Sequence, residues 1–246
     1  FETEKIEKKS NREFWFTGIF FSIVFVCMMG YYVQFVHTQG QEMINSSYNS
    51  RQKLLNAQNT RGTIYSANGE VLAETITTET GSEYRNYPYE NLFAHVVGFS
   101  TKGKTGIEAQ ANSYLIQSHI PLSSQIENEV AAVKNPGDNV YTSLRTDLQE
   151  IANRSLGVSK GAVIVSNVKT GEILAMVSKP DFNPATIVED WDMFLEEEES
   201  SVLLNRVTQG IYPPGSTFKI VTALAYLREH NGSYQDYYYN CSGSFK

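Results

Sequence analysis

The chain has 246 residues, of which 41% are hydrophobic and 19% are charged, and its net charge is −7. An acidic protein without a basic patch is not expected to bind nucleic acid. Two cysteines provide no disulfide framework, and four scattered histidines and no glycine-rich phosphate loop argue against metal and nucleotide chemistry.

An uncharged segment of 23 residues, 14–36, lies near the N-terminus and contains Cys27. A bilayer is spanned by about 20 apolar residues, whereas a cleavable signal peptide has an apolar core of about 7–15 residues. Basic residues precede the segment and are sparse after it, although four glutamates leave the tail nearly neutral. This asymmetry predicts a cytoplasmic tail at 1–13, a single transmembrane helix at 14–36 in the cell membrane, and an exported remainder. A buried helix of a soluble protein is the alternative, which the length of the segment disfavours.

The next part of the chain predicts a linker followed by a small module. Residues 37–60 are polar, which is typical of a linker or a juxtamembrane helix. Asn68 and Gly69 lie between apolar residues, a strong signal for a β-hairpin. Mixed patterns continue to residue 140, so we expect a small α+β module over 61–140.

Clearer periodicity begins after residue 140. Thr146 and Gln149 have the spacing of a capping box, and Gly157 is expected to end the helix that they open. We expect the apolar face of this helix to consist of Leu148, Ile151, Ala152 and Leu156. Residues 161–166 and 172–178 predict two strands joined by a short turn. A two-stranded hairpin cannot bury both faces, so further sheet is expected to pair with it.

A candidate nucleophile lies in the sequence Tyr-Pro-Pro-Gly-Ser-Thr-Phe-Lys of residues 212–219. The prolines disfavour helix before Ser216, and Gly215 allows a tight turn into the helix that follows. Residues three apart on a helix are neighbours, so the amine of Lys219 can reach the hydroxyl of Ser216. Apolar residues on nearly every side of 220–227 predict that this helix is buried. Desolvation would lower the pKa of Lys219 and make its amine a general base beside a nucleophile.

The bare Ser-x-x-Lys spacing is a weak signal, because it also occurs at Ser50/Lys53 and Ser166/Lys169. The first pair lies in a polar segment and the second at the end of a strand, so we interpret both as solvated surface residues. The structural alternative for the third pair is a serine that caps a buried helix and a lysine that reaches to water.

Ten short motifs extend this local signal over most of the chain. They are Arg61-Gly-Thr-Ile, Asn68-Gly-Glu-Val-Leu-Ala73, Tyr87-Pro88, Ala94-His-Val-Val-Gly98, Gly106-Ile-Glu108, Gly161-Ala-Val-Ile-Val, Lys169-Thr-Gly-Glu-Ile-Leu-Ala-Met, Asp181-Phe-Asn-Pro184, Asn205-Arg206 and Tyr212-Pro-Pro-Gly-Ser-Thr-Phe-Lys219. Together and in this order they resemble the class B penicillin-binding proteins, membrane-anchored cell-wall transpeptidases, and specifically the Gram-positive type with a short pedestal. Ser66 and Ala67 depart from the Asp and Arg that the family usually has in its first motif.

The resemblance implies an α+β protein with a pedestal module at 61–140 and the N-terminal part of a serine β-lactamase/transpeptidase-like domain, an antiparallel sheet with helices, at 141–246. It implies that Ser216 attacks the bond between two D-alanines of a peptidoglycan stem peptide and that Lys219 accepts the serine proton. β-Lactams would acylate the same serine. The partners implied are stem peptides, β-lactams, the lipid bilayer and a polytopic glycan polymerase, and no metal or organic cofactor is required.

One departure from the family concerns the rest of its active site. The family also uses a Ser-x-Asn motif and a Lys-Thr/Ser-Gly strand after the nucleophile. In this chain Ser-x-Asn occurs only at 47–49 and 66–68, and Lys-Thr-Gly only at 104–106 and 169–171. All four precede Ser216 and are rejected as catalytic groups. We therefore expect the chain to be part of a longer protein and to be inactive alone.

Three other functions are compatible with a Ser-x-x-Lys nucleophile. A serine β-lactamase would be released from the membrane and would lack the pedestal. A bifunctional polymerase–transpeptidase would need a glycosyltransferase domain for which the roughly 100 residues before Tyr141 are too few. A β-lactam sensor or a catalytically silent scaffold could keep Ser216 and Lys219 and differ only in deacylation.

Overall fold

A computed structural model of the protein describes residues 2–45, 49–196, 201–230, 234–238 and 240–243. The chain divides into two compact units, Phe1–Val207 and Thr208–Lys246. The first unit contains the N-terminal helix and every strand of the described residues, and the second unit contains the candidate nucleophile.

The N-terminal helix α1 spans Glu2–Asn45 and is longer than the expected segment 14–36. Its apolar stretch, Arg12–Gly40, is long enough to cross a bilayer, and none of the stretch is buried inside the protein. At 1.5 Å per residue these 29 residues extend about 44 Å, more than the roughly 30 Å of a hydrocarbon core. Helix thus continues into residues 37–60, the region expected to be a linker or a juxtamembrane helix, which also contains helix α2, Ser50–Gln58.

A small mixed α+β module follows, as the sequence predicts. Its strands are β1 (Asn59–Thr60), β2 (Ile64–Tyr65), β3 (Val71–Thr77), β4 (Glu83–Asn86), β5 (Asn135–Pro136) and β6 (Val140–Tyr141). They form a four-stranded sheet in the order β4-β3-β2-β6 and a separate parallel pair, β1 with β5. Its helices are α3 (Ala94–Val97), α4 (Gly106–Gln110), α5 (Asn112–Leu115) and α6 (Leu122–Val130).

The hairpin predicted from Asn68 and Gly69 is confirmed, since β2 and β3 are antiparallel and Ile64 pairs with Ala73. Gly69 has a φ of +82°, the left-handed conformation that such turns require. Ser66 is buried in this turn, where its hydroxyl accepts the N–H of Asn68 at 3.3 Å and of Glu70 at 3.1 Å. Ser66 therefore stabilises the hairpin, in agreement with its rejection as a catalytic group.

The predicted helix α7 spans Thr146–Leu156 and ends at Gly157, but the predicted capping box is wrong. Thr146 lies inside the helix and its hydroxyl donates to the carboxylate of Glu70. Gln149 is fully buried, and its side-chain amide bonds the backbone N–H and carbonyl of Met176 at 2.8 Å each. Tertiary partners have replaced the local cap, and the buried face includes Gln149 while Ile151 is 53% exposed.

The two strands predicted after this helix are confirmed as β7, Gly161–Ser166, and β8, Ile173–Lys179. They are antiparallel, and Ile164 pairs with Met176. Among the described residues they pair only with each other. Helix α8, Trp191–Glu196, follows them.

One hydrophobic core joins the small module to the segment that follows it. Buried residues of the module and of the later strand and loop pack in the same cluster: Ile64, Leu72, Ala73, Tyr87, Phe93, Val96, Val97, Leu115, Leu144 and Met176. Complete burial of an aliphatic side chain stabilises a protein by about 1.5–3 kcal/mol. The module and the β7–β8 hairpin are therefore held together by shared burial within the first unit.

A buried carboxylate organises the polar centre of the module. The side chain of Glu108 is completely inaccessible to solvent. Arg61 Nε donates to Glu108 Oε2 and Arg85 Nε donates to Glu108 Oε1, each at 2.7 Å. Arg61 also donates to the Glu108 carbonyl and to Asn112 Oδ1, each at 2.7 Å. Two of the short motifs, 61–64 and 106–108, thus meet at this one group together with Arg85 from β4.

Replacing Glu108 with Gln is expected to destabilise the first unit by about 3 kcal/mol or more, because two buried guanidinium groups lose their counter-charge. Urea unfolding followed by circular dichroism measures this change. Glu79→Gln, at an exposed position, is the matched control and should change stability by less than about 0.5 kcal/mol. Equal effects of the two substitutions would contradict a structural role for the ion pairs of Glu108 with Arg61 and Arg85.

The burial of Tyr87 predicts that the stability of the first unit decreases at alkaline pH. Burial, and secondarily the charge of Glu108, raises the pKa of Tyr87 to about 12. An unfolded tyrosine loses its proton near pH 10, so the contribution of Tyr87 is complete below pH 10 and is lost as the pH rises through 12. We expect wild-type stability to fall by about 2–3 kcal/mol more than that of Tyr87→Phe over this range. Tyr84→Phe, at a half-exposed position, should behave as the wild type does.

Candidate active site

Ser216 lies in a single 3₁₀ turn, Gly215–Thr217, that leads directly into helix α9, Phe218–Glu229. The preceding Pro214 already has helical dihedral angles, φ −67° and ψ −22°. Its carbonyl accepts the Thr217 N–H at 3.2 Å and the Thr217 hydroxyl at 2.5 Å. The proline-rich turn thus fixes the start of the helix at the candidate nucleophile.

Glycine is favoured at position 215 by the backbone conformation, and not by the close approach of other atoms. Its φ is +54°, in the left-handed region, and a Cβ placed on it would meet no atom within 4 Å. Lys219 lies three positions after Ser216, across the junction of the 3₁₀ turn and the helix. At this spacing side chains in a 3₁₀ turn eclipse each other and those in an α-helix are adjacent. The local backbone is therefore compatible with the predicted pairing of hydroxyl and amine.

The prediction that this helix is buried is wrong. Every residue of α9 except the half-buried Tyr226 is exposed, including Ile220, Val221, Leu224 and Leu227. Apolar side chains on all sides of a helix need surrounding layers. Near the helix end Tyr226 stacks on His230 and meets Tyr237 edge-on, but no residue of α9 is buried. The desolvation that would activate Lys219 is not provided by the described part of this unit.

Exposure does not separate the candidate pair from the other two Ser-x-x-Lys pairs. Ser50/Lys53 and Ser166/Lys169 are exposed as predicted, but so are Ser216 and Lys219. Ser50 also begins a helix, α2, so a helix start is not unique to Ser216. What distinguishes Ser216 is the Pro-Pro-Gly turn before it and the apolar sequence after it.

The remaining residues of the rejected Ser-x-Asn and Lys-Thr-Gly motifs, where the structure describes them, lie in helices and turns outside the candidate site. Lys104 is half-buried and its Nζ donates to Gln52 Oε1 at 3.2 Å, and burial lowers the pKa of Lys104. Asn49 caps α2 by accepting the N–H of Arg51 at 3.1 Å. Lys169 is exposed in the turn between β7 and β8. Ser47 lies outside the described residues.

Asn205 and Arg206 have an anchoring role that sequence reasoning missed. The Arg206 N–H donates to Ser178 Oγ at 3.0 Å, and its guanidinium donates to the carbonyl and hydroxyl of Ser201 at 3.1 and 2.6 Å. Asn205 Nδ2 donates to the His95 carbonyl at 3.3 Å. These bonds tie the segment to β8 and α3. The motif position was visible in the sequence, but its tertiary partners were not.

Metal chemistry receives no support from the described part of the chain, where no three His, Cys, Asp or Glu side chains are grouped to hold an ion. Cys27 and Cys241 are both exposed and not disulfide-bonded.

Family models match two consecutive parts of the chain. Residues 61–140 match the penicillin binding protein A dimerisation domain, and residues 161–243 match the penicillin binding protein transpeptidase domain. The second match includes Ser216 and Lys219.

Individual proteins are similar over the same region. The peptidoglycan D,D-transpeptidase PbpA of Mycolicibacterium smegmatis is 34% identical over 68% of this chain, and MrdA of Acinetobacter baumannii is 32% identical over 58%. The chain spans 37% and 26% of the lengths of these relatives.

Solved structures are also similar to this chain over most of its length. A D,D-transpeptidase domain from Eggerthella lenta has a TM-score of 0.60 at 34% identity and is matched over 72% of this chain and 39% of its own. The imipenem acyl-enzyme complex of penicillin-binding protein A from M. tuberculosis has a TM-score of 0.60 at 29% identity, over 70% of this chain and 43% of that one.

The exposure of α9 predicts ordinary amine reactivity for Lys219 in the 246-residue chain. We expect an N-hydroxysuccinimide ester to modify Lys219 at a rate similar to that of the exposed Lys169, and to modify Lys179, whose side chain is 20% exposed and whose Nζ lies 3.7 Å from Asp181, more slowly. Peptide mapping by mass spectrometry after short reaction times measures all three rates. Protection of Lys219 to the level of Lys179 would contradict the exposed helix.

Proposed function

The chain belongs to the class B penicillin-binding proteins, and from this premise we propose that it takes part in serine-type D,D-transpeptidation of peptidoglycan stem peptides. The observation that carries the proposal is the position of Ser216. It lies in the region matched by the transpeptidase family, at a fixed turn into a helix, with Lys219 three residues later.

The proposed reaction has two steps and uses an acyl-serine intermediate. Ser216 Oγ attacks the carbonyl between the two D-alanines while Lys219 accepts the hydroxyl proton. The Ser216 N–H, near the start of α9, stabilises the oxyanion. The C–N bond breaks, the leaving amine takes a proton, and terminal D-alanine departs. The amine of a neighbouring stem then attacks the acyl-serine, forms the cross-link and returns the serine hydroxyl.

A β-lactam would enter the first step and stop there. Its strained amide carbonyl is attacked by Ser216 in the same way, and the product is a covalent acyl-serine. The acyl-enzyme complexes of penicillin-binding protein A from M. tuberculosis support this proposal by similarity.

We assign the site to the outer side of the cell membrane. Helix α1 would cross the bilayer with residues 1–13 in the cytoplasm, as the basic residues before it favour. The module at 61–140 would then act as a pedestal for the transpeptidase region at 141–246. A polytopic glycan polymerase in the same membrane would supply the strands to be cross-linked.

Covalent labelling by a fluorescent penicillin tests the role of Ser216. In the native protein expressed from its complete gene, we expect labelling to fall by at least about 10³-fold in Ser216→Ala and to slow strongly in Lys219→Ala. Ser166→Ala, at the exposed serine of another Ser-x-x-Lys pair, should label as the wild type does. Unchanged labelling of Ser216→Ala would refute the assignment.

Residues 1–246 alone are expected to form no stable acyl-enzyme. Helix α9 is exposed in this chain, and the only Ser-x-Asn and Lys-Thr-Gly sequences precede Ser216. Incubation with the same penicillin followed by intact-protein mass spectrometry measures the outcome. A stoichiometric adduct on Ser216 would contradict this expectation.

A further inference from the structure

Strand β4 lies at a free edge of the four-stranded sheet. Among the described residues it pairs only with β3. The pairing is regular over residues 83–86, which contain neither a bulge nor a proline. An edge strand of this kind presents a row of unpaired backbone N–H and C=O groups, to which another chain can bond.

The free backbone groups of β4 can be assigned from the ladder. The Thr78 N–H donates to the Ser82 carbonyl at 2.8 Å, so these two residues, which stand opposite each other one step beyond the strands, are a hydrogen-bonded pair. Hydrogen-bonded and non-hydrogen-bonded pairs alternate along an antiparallel ladder. Glu83 and Arg85 therefore belong to the non-hydrogen-bonded pairs, and their N–H and C=O groups point to the free edge.

The charged side chains of β4 do not protect this edge. Proteins often guard a free edge with charged residues that would oppose an incoming strand. Glu83, however, is held by Lys134 at 2.7 Å and by the Thr60 hydroxyl at 2.6 Å. Arg85 is 7% exposed and is bound to Glu108. Both side chains are thus engaged within the module, and the backbone of the edge stays available.

A cavity of about 480 Å³ runs along the same edge. It is lined by five consecutive residues, 83–87, whereas a cavity on one face of a sheet would be lined by alternate residues. Another side of it is apolar and is formed by Pro184, Ala185 and Val188 of the first unit. A cavity of this size is typical of sites for small ligands. It can hold a short extended segment, but the edge of a second folded sheet would not fit beside this wall.

We propose that this cleft binds one extended segment of a partner protein, which adds to the sheet as a strand beside β4. The backbone of the segment would bond the outward N–H and C=O groups of Glu83 and Arg85, so that main-chain hydrogen bonds supply the affinity. Alternate side chains of a strand point in opposite directions. Those directed to the wall of Pro184, Ala185 and Val188 would be small and apolar.

Hydrogen–deuterium exchange of the whole 246-residue chain in detergent, resolved to single amides by fragmentation of the 82–87 region, tests the proposal. The probe is acetyl-Thr-Val-Thr-Val-Thr-amide, whose β-branched residues favour the extended conformation. At a concentration tenfold above its Kd it should slow exchange of the Glu83 and Arg85 amides about tenfold. The Tyr84 and Asn86 amides already belong to the ladder with β3 and should be unchanged. Blocked pentaproline, which is extended but has no N–H, is the control and should protect none of them.

Substitution of an outward backbone group provides the second measurement. Glu83→Pro removes one N–H of the free edge and leaves the ladder to β3 in place. It should weaken binding of the probe at least about fivefold, because a peptide carbonyl loses its donor. Glu83→Gln keeps the N–H and should restore the affinity. Glu79→Pro is the matched control, since residue 79 is the second position of the turn that Thr78 closes with Gly81, where proline is favoured.

Several results would overturn the proposal. They are no protection by the probe, equal protection by pentaproline, and unchanged affinity in Glu83→Pro. Protection that rises with protein concentration in the absence of the probe would show that a second copy occupies the cleft. Protection without the probe only in the native protein expressed from its complete gene would show that a segment of the same polypeptide does. Either occupant would exclude a partner site.

Discussion

The first unit depends on one buried carboxylate. Glu108 is completely inaccessible to solvent and holds Arg61 and Arg85, which arrive from opposite ends of the β2–β3–β4 region. Close backbone approach accompanies this pairing. A Cβ at Gly62 would lie 1.9 Å from the Asp138 carbonyl oxygen, and one at Gly106 would lie 2.6 Å from that of Val96. The charged residues are thus buried where neighbouring glycines let the chain segments come together.

The same unit connects the module to the start of the transpeptidase region. Leu144 and Met176 complete a core that begins with Ile64 and Leu72. Hydrogen bonds cross the same boundary, since Asn205 binds the carbonyl of His95 and the imidazole of His95 lies 3.0 Å from the Pro180 carbonyl. The module and the later part of the first unit are therefore joined both by packing and by hydrogen bonds.

Sequence reasoning succeeded where local preferences decide the structure. The Asn68-Gly69 hairpin, helix α7 and the strands β7 and β8 follow from turn residues and periodicity. It failed where tertiary partners decide. Gln149 has the spacing of a cap residue but binds Met176, and the apolar α9 is not covered by the residues that the structure describes.

The candidate site was predictable only in part. The Pro-Pro-Gly turn and the spacing of Ser216 and Lys219 are local and could be predicted from the residues. Whether the lysine is desolvated depends on neighbours from elsewhere, which no local pattern contains. The order of short motifs along the chain was more specific than any one of them, because ten matches in one order are far rarer by chance than a single match.

The hydrogen bonds between Gln149 and β8 determine on which side this sheet can be extended. The Met176 N–H and carbonyl bind the Gln149 side chain, and the Leu174 carbonyl accepts the N–H of Arg145 at 2.8 Å. These groups on the margin of β8 away from β7 are therefore occupied, and this blocks edge-to-edge association there. An additional strand, from this polypeptide or another, can therefore pair only with β7. The sheet can be extended on that side alone.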